Sequence, residues 1–160
     1  MRKAQIYSQI FIYILTIFLT AVILVYGYKA IENFRKRADQ LACLKFQNEL
    51  KNAIESIYSD YGSVKKKDLQ LCSPYTKVCF VESLSQPTIP ANADPIIKDS
   101  ILSKTGKNVF FLEKSAKESF QAGKISVDPD ILCIKASNNI ISLRLEGRGE
   151  YALLSEWSDR

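Results

Sequence analysis

One stretch near the N-terminus constrains this chain more than any other, an apolar run over residues 10–28 that contains no charged residue. Counted back to Ala4, about 25 uncharged residues are available, and a helix of about 20 residues crosses the roughly 30 Å hydrocarbon core of a bilayer. Lipid offers no water to backbone amides, so a single segment can satisfy them there only as a helix. The sequence therefore predicts a transmembrane helix over residues 10–28.

The length of the chain leaves room for one further domain. The chain has 160 residues, and about 100 of them follow the apolar run and its basic flank, which suffices for one modest hydrophobic core. We divide the chain into a short basic leader with a polar patch (1–9), the transmembrane helix (10–28), an amphipathic stalk helix (29–61) and a β-rich globular head (62–160). The predicted fold class is α+β, with the long N-terminal helix packed on an antiparallel β-sheet head.

The stalk helix is predicted from its periodicity. Neither glycine nor proline occurs over residues 29–61, and apolar residues recur every three or four positions. Packing of this stripe on the protein's own sheet is the simpler interpretation, and helix-to-helix packing between subunits is the alternative. Asp60-Tyr61-Gly62 is predicted to end the helix, since glycine can take the left-handed closing conformation. The stripe consists of Ile31, Phe34, Ala38, Leu41, Phe46, Leu50, Ala53, Ile54, Ile57 and Tyr61.

After Gly62 the apolar residues alternate with a period of two, which is typical of strands. Residues 64–71 and 77–81 flank a turn at Ser73-Pro74 and are predicted to form a hairpin. Asp94-Pro95 is predicted to cap a short helix that runs to about residue 103. Further strands are predicted over residues 108–112, 124–127, 132–136, 140–146 and 151–157.

Four cysteines, all outside the apolar run, are candidates for disulfides: Cys43, Cys72, Cys79 and Cys133. No two of them form a CxxC pair, which disfavours a zinc ribbon or a thioredoxin-like redox site. The predicted turn could bring Cys72 and Cys79 within disulfide distance, so we predict a bridge there. Cys43 and Cys133 would then tie the stalk helix to a late strand. Four cysteines allow three pairings, and four reduced core thiols are the alternative.

The composition narrows the possible activities. The chain has no histidine, which excludes Ser-His-Asp and Cys-His catalysis and histidine metal sites. Its net charge of +5 is spread along the chain, which favours a solvated or headgroup-facing surface over nucleic-acid binding. Asp128-Pro129-Asp130 lacks the spacing of a calcium site, and Thr105-Gly106-Lys107-Asn108 lacks the first glycine of a phosphate loop. We expect no nucleic-acid partner, no cofactor, no metal site and no enzymatic activity.

Residues beyond the apolar run suit a membrane–water interface. Tyr26 and Tyr28 are predicted to lie at the water boundary, as in an aromatic belt. Arg35, Lys36 and Arg37 follow about two turns later and are predicted to meet anionic headgroups, at about 1 kcal/mol each.

Two arguments about membrane orientation conflict. The four basic residues from Lys29 to Arg37 outnumber Arg2 and Lys3, which by the positive-inside rule places the head in the cytoplasm. The cysteines favour an oxidising compartment, and a short leader with two basic residues is easily retained inside. We expect a single-pass protein of the cell membrane with its C-terminal head outside.

The leader resembles a processing site. Lys3-Ala4-Gln5, a polar step and the long apolar run resemble the class III signal of archaeal type IV pilin-like proteins, which a prepilin peptidase cleaves between a small residue and a glutamine. The resemblance implies cleavage between Ala4 and Gln5 and assembly with like subunits. Two positions depart from the pattern. Pilins usually have glycine where Ala4 stands, and where Gln9 stands they have a glutamate that is thought to pair with a neighbouring subunit's amine.

The expected function is that of a membrane-anchored, pilin-like structural or adhesive protein of the cell surface. Its expected partners are the lipid bilayer, a prepilin peptidase and like subunits. A monomeric membrane-tethered binding or accessory domain that does not polymerise is the alternative, and Gln9 favours it. An anchored enzyme is disfavoured, because the sequence lacks paired carboxylates at catalytic spacing as well as histidine.

Overall fold

A computed structural model describes residues 3–84 and 87–158 of the chain, and for residues 3–9 it describes the backbone alone. Its elements confirm the predicted α+β class, since a long N-terminal helix precedes two sheets in which antiparallel pairings predominate. The elements are the helices α1 (Lys3–Glu55) and α2 (Pro95–Leu102) and the strands β1 (Val64–Gln70), β2 (Lys77–Val81), β3 (Val109–Leu112), β4 (Ala116–Phe120), β5 (Ile125–Val127), β6 (Ile131–Lys135), β7 (Ile140–Gly147) and β8 (Ala152–Glu156).

The chain divides into two compact units, Met1–Ala38 and Asp39–Arg160. Helix α1 belongs to both, because its N-terminal part makes up the described portion of the first unit and residues 39–55 enter the second. We call Met1–Ala38 the anterior unit, Asp39–Arg160 the head unit, and residues 39–55 the posterior segment of α1. The predicted boundary between transmembrane and stalk helices at residues 28 and 29 lies inside this one continuous helix.

The strands form two four-stranded sheets rather than one. The order is β1-β7-β8-β5 in sheet 1 and β4-β3-β2-β6 in sheet 2. Strand β5 pairs in parallel with β8, whereas the other pairings of the described strands are antiparallel. The predicted hairpin is wrong, because β1 pairs with β7 and β2 pairs with β3 and β6. The segment between β1 and β2 crosses from one sheet to the other: Leu71 N donates to Asn139 O beside β7, and Thr76 N donates to Leu112 O on β3.

One hydrophobic core joins the posterior segment of α1 to both sheets. Phe46 and Leu50 are fully buried, and Ile54 is 2% exposed. Each such side chain stabilises the fold by about 1.5 to 3 kcal/mol when it leaves water. They share the core with inward-facing residues of sheet 1, namely Leu69, Ile141, Leu143 and Leu145, and of sheet 2, namely Val78, Phe80, Val109 and Phe111.

Helix α1 ends earlier than predicted. The α-helix stops at Glu55, and tighter turns follow, in which Ile57 N donates to Ile54 O and Asp60 N donates to Ile57 O. The carbonyls of these turns face the end of β7, where a Cβ on Gly147 would lie 2.2 Å from both Ile57 O and Asp60 O. Glycine is therefore required at position 147, and the close approach of two backbones fixes where the helix gives way to turns.

The short helix α2 forms as predicted. The Asp94 carboxylate accepts from Ile96 N at 2.9 Å, and Pro95 occupies the first turn. Its residue Ile97 packs on the outer face of sheet 2 against Val81 and Phe110. Strand β4 was not predicted, because its sequence Ala-Lys-Glu-Ser-Phe has apolar residues only at its ends. Its pairing with β3 is irregular at Leu112.

Candidate functional site

The apolar run of the anterior unit exposes its side chains. Ile17 is 70% exposed and Ile23 is 69% exposed, and α1 contains a segment long and apolar enough to cross a membrane. The two threonine hydroxyls of the run are turned back onto the helix: Thr16 Oγ1 donates to Tyr13 O at 2.8 Å and Thr20 Oγ1 donates to Thr16 O at 2.7 Å. Because these polar groups are satisfied within the helix, the surface of the run is compatible with hydrocarbon.

The two units differ in charge. The anterior unit contains six basic residues and one acidic residue, which accounts for the whole net charge of +5, and the sixteen basic and sixteen acidic residues of the head unit cancel. The positive charge lies at the two ends of the apolar run, with Arg2 and Lys3 before it and the four basic residues from Lys29 to Arg37 after it. This distribution is typical of a helix whose ends meet lipid headgroups.

The predicted membrane-interface residues are exposed. Tyr26 is 70% exposed and Tyr28 is 72% exposed. Lys36 Nζ lies 2.7 Å from the Glu32 carboxylate, and this hydrogen bond and the charge of Lys36 lower the pKa of Glu32. Over residues 3–84 and 87–158 neither Arg35 nor Arg37 has such an ion pair, so both guanidinium groups remain available to anions.

The predicted processing and assembly residues lie within α1. Ala4, Gln5 and Gln9 have helical backbone, and their side chains lie outside the described part of the chain. Cleavage between Ala4 and Gln5 and the role of Gln9 in assembly stay predictions.

The apolar stripe of the stalk splits into two parts. Phe34 is 72% exposed and Leu41 is 66% exposed, as is more than half of Ile31, whereas Phe46 and Leu50 are fully buried. Packing on the protein's own sheets thus begins at Cys43. We call Ile31, Phe34 and Leu41, which are exposed among the described residues, the uncovered stripe. At its other end Tyr61, predicted as the last member of the stripe, is 77% exposed.

All four cysteines form disulfides, but the predicted Cys72–Cys79 bridge is wrong. Cys43 is bonded to Cys72, and Cys79 is bonded to Cys133. Because β2 pairs with β6, Cys79 lies directly opposite Cys133. Cys72 follows β1 in the other sheet and meets Cys43 on α1, which is buried beside it. The first bridge ties the posterior segment of α1 to the end of β1, and the second crosses two neighbouring strands.

An aromatic cluster holds the posterior segment of α1 against sheet 2. The Phe111 ring lies 5.1 Å from that of Phe46 in an edge-on arrangement and 5.2 Å from that of Tyr75 in a stacked one. Phe120 adds a third contact to Phe111 at 5.6 Å. Burial of the Tyr75 ring, together with its hydrogen bond to Glu118 and the charges of Glu118 and Glu113, raises the pKa of Tyr75 to about 12.

Two buried polar side chains of the head unit have structural partners. The Glu82 carboxylate accepts from Leu84 N, Val127 N and the Ser126 hydroxyl. Asn108 donates to Gly123 O and accepts from Ala122 N. Sequence reasoning missed both, because nothing in the residues around them marks them as buried. Their hydrogen bonds join loops to strands, which gives them a role in folding rather than in chemistry.

Each unit has its own candidate functional features. The anterior unit has the exposed apolar run with its basic flanks, most of the uncovered stripe follows on the same helix, and the head unit carries two disulfides. The described part of the chain contains no group of three or more histidine, cysteine or acidic residues that could hold a metal ion. Comparisons with protein-family models, with curated proteins and with solved structures give no match.

Proposed function

We propose that this chain is a single-pass membrane protein with its head outside the cytoplasm and a pilin-like structural or adhesive role at the cell surface. The observation that carries the proposal is the contrast between the two units. The anterior unit exposes an apolar surface that water does not tolerate, whereas the head unit is closed around its own core and carries two disulfides. Disulfides persist in oxidising compartments, which supports a head outside the cytoplasm.

The uncovered stripe supports assembly with like subunits. Ile31, Phe34 and Leu41 continue the apolar surface beyond the apolar run and are exposed in the single chain. If helices of several copies pack side by side, this stripe is the surface that the neighbouring helix covers. The resemblance of the leader to a prepilin signal points in the same direction.

The mature N-terminus tests the proposal. We expect protein recovered from native membranes to begin at Gln5, and we expect trypsin added to intact cells to degrade the head. A head protected from trypsin in intact cells but not in permeabilised ones would overturn the orientation. Recovery of protein with an intact Met1 would favour an uncleaved signal anchor over a processed pilin-like protein.

The substitution Gln9→Glu tests assembly. If cleavage releases the amine at Gln5, the new carboxylate has a cation to pair with in a dry helix bundle, and a charged hydrogen bond is about twice as strong as a neutral one. We therefore expect more surface filaments in electron micrographs, with the same amount of inserted protein.

The matched control is Gln40→Glu, which makes the same change on an exposed part of α1 beyond the apolar run and should alter neither quantity. The monomeric tethered domain, which the neutral Gln9 favours, predicts the opposite result. Its Gln9→Glu variant would insert less well, because an unpaired carboxylate near hydrocarbon costs several kcal/mol, and neither version would form filaments.

A further inference from the structure

A groove on the outer face of sheet 2 gathers lysine side chains around an apolar floor. It has a volume of about 390 Å³ and lies between the sheet and the segment that leads into α2. Its lining combines the polar side chains of Lys77, Lys114, Asn92 and Asp94 with the apolar side chains of Ile97, Leu112 and Ile131 and the Cys79–Cys133 disulfide. We call it the lysine groove.

The register of sheet 2 adds a third lysine. Lys77 lies directly opposite Lys135, two residues from the Cys79–Cys133 pair and therefore on the same face of the sheet. Ala136 N donates to Thr76 O on one side of the lysine pair, so Lys77 and Lys135 occupy a non-hydrogen-bonded position, where Cα atoms are only about 4.5 Å apart. Like charges directly opposite one another destabilise a sheet.

Two carboxylates near these lysines offset part of their charge. Asp94 lines the groove and contributes one negative charge, although its carboxylate oxygens accept from Ile96 N and, at 3.1 Å, from Ala116 N. The Glu113 carboxylate is paired with Lys117, and the charge of Lys114 also acts on it. Within the described residues, ion pairs to Lys77, Lys114 and Lys135 are absent. The head unit as a whole is neutral, so this cluster is a local excess of positive charge and not part of a generally basic surface.

The disulfide fixes the backbone next to the lysine pair. Cys79 and Cys133 cross-link β2 and β6 two residues away, which holds the backbones of Lys77 and Lys135 opposite each other. An anion bound between them would relieve the repulsion and gain charge-assisted hydrogen bonds.

We propose that the lysine groove binds a small anionic molecule that combines a carboxylate or phosphate with an apolar or ring face. The anionic group lies between Lys77, Lys114 and Lys135, and the ring face lies on the apolar floor. The volume suits a molecule of one or two sugar rings, near the lower end of the range for small-molecule sites. The proposal is independent of membrane insertion and of assembly.

Titration of the full chain in detergent micelles tests the proposal, with glucuronate and glucose 1-phosphate as probes and glucose and inorganic phosphate as controls. We expect both anionic sugars to bind saturably and to shift backbone amide signals of Lys77, Cys79 and Ile131 in NMR spectra. Glucose should not bind, and inorganic phosphate should bind more weakly because it lacks a ring face. Saturable binding of only one anionic sugar would assign the groove to that anion. Binding of glucose as strong as that of glucuronate, or no saturable binding of either anionic sugar, would overturn the proposal.

The variant Lys77→Gln with Lys135→Gln removes the opposed pair. Loss of two charged hydrogen bonds should weaken binding at least about tenfold. Lys104→Gln with Lys107→Gln is the matched control, since it makes the same change of net charge in a different groove and should leave binding unchanged. Equal weakening in both variants would show a diffuse charge effect and overturn the site. If the first variant unfolds, Lys114→Gln alone, at an exposed position after β3, makes the same test.

Discussion

The two parts of α1 carry apolar residues at similar spacings but meet different surroundings. Phe46 and Leu50 in the posterior segment are fully buried against both sheets, whereas Phe34 is 72% exposed three turns earlier on the same helix. The helical period identifies a face that needs a partner, but it does not say whether the partner belongs to the same chain. What separates the two parts is the first tether to the sheets, the Cys43–Cys72 bridge.

The two units also differ in net charge. The head unit buries its apolar residues in its own core, and its acidic and basic residues cancel. The anterior unit cannot bury its apolar surface by itself, and its charges at either end of the apolar run set the limits of what hydrocarbon can cover.

Truncating one phenylalanine in each part of α1 should give the largest difference in the free energy of unfolding of the head. Phe46→Ala leaves a cavity between α1 and Phe111 and should lower the free energy of unfolding of the head by about 3 to 5 kcal/mol. Phe34→Ala removes an exposed ring and should change that free energy by less than about 0.5 kcal/mol. Urea unfolding of the full chain in micelles, followed by the fluorescence of Trp157, measures both. Similar effects of the two substitutions would mean that the stripe before Cys43 is also covered within the single chain.

The Cys43–Cys72 bridge should make the next largest contribution. It closes a loop of 29 residues, and Cys43→Ala with Cys72→Ala should lower the free energy of unfolding by on the order of 3 kcal/mol through the freed unfolded chain. The same urea titration measures it, and hydrogen exchange of the posterior segment should rise more than that of sheet 2. Peptide mapping without reductant should recover Cys43 linked to Cys72 and Cys79 linked to Cys133. A peptide containing a Cys72–Cys79 bridge would contradict this topology.

Local signals in the sequence predicted the elements well. The α2 helix begins where Asp94 and Pro95 place it, and β2 spans Lys77–Val81 as its alternation indicates. These features depend on residues within one or two turns of each other. The prediction that the whole stripe from Ile31 to Tyr61 packs on the protein's own sheets is confirmed only for its middle part, since Phe46, Leu50, Ile54 and Ile57 are buried and Ile31, Phe34, Leu41 and Tyr61 are exposed.

Local sequence patterns could not predict which strands pair when the partners lie far apart along the chain. The disulfide prediction failed because it assumed that β1 and β2 pair with each other, and strand order depends on contacts with β7 and β6, more than 50 residues away along the chain. The end of α1 was predicted too late in the chain, because the close contact at Gly147 involves a residue about 90 positions further along the sequence. The lysine groove also could not be predicted, since Lys77 and Lys135 become neighbours only through the register of sheet 2.

Raising the pH should produce a smaller effect on the aromatic cluster that holds the posterior segment. The pKa of Tyr75 is about 12 in the folded protein, against about 10 in an unfolded chain. Between these values the unfolded state releases the phenol proton and the folded state keeps it, so stability is full below pH 10 and is lost as the pH rises toward 12. At pH 12 the loss should be on the order of 2 kcal/mol, because two pKa units at about 1.4 kcal/mol each set the full loss and the folded state is only half ionised at that pH.

The variant Tyr75→Phe isolates this loss from the titration of lysines in the same range. It keeps the stacked ring against Phe111 but has no phenol proton to release, so its stability should fall less steeply with pH. The measured quantity is the difference in free energy of unfolding between the two proteins, determined by urea titration at several pH values from 9 to 12. Below about pH 10 that difference should be constant, and above it the free energy of unfolding of the wild-type chain should fall relative to that of Tyr75→Phe. Parallel curves over the whole range would mean that Tyr75 ionises equally in both states, and that the aromatic cluster leaves its hydroxyl open to water.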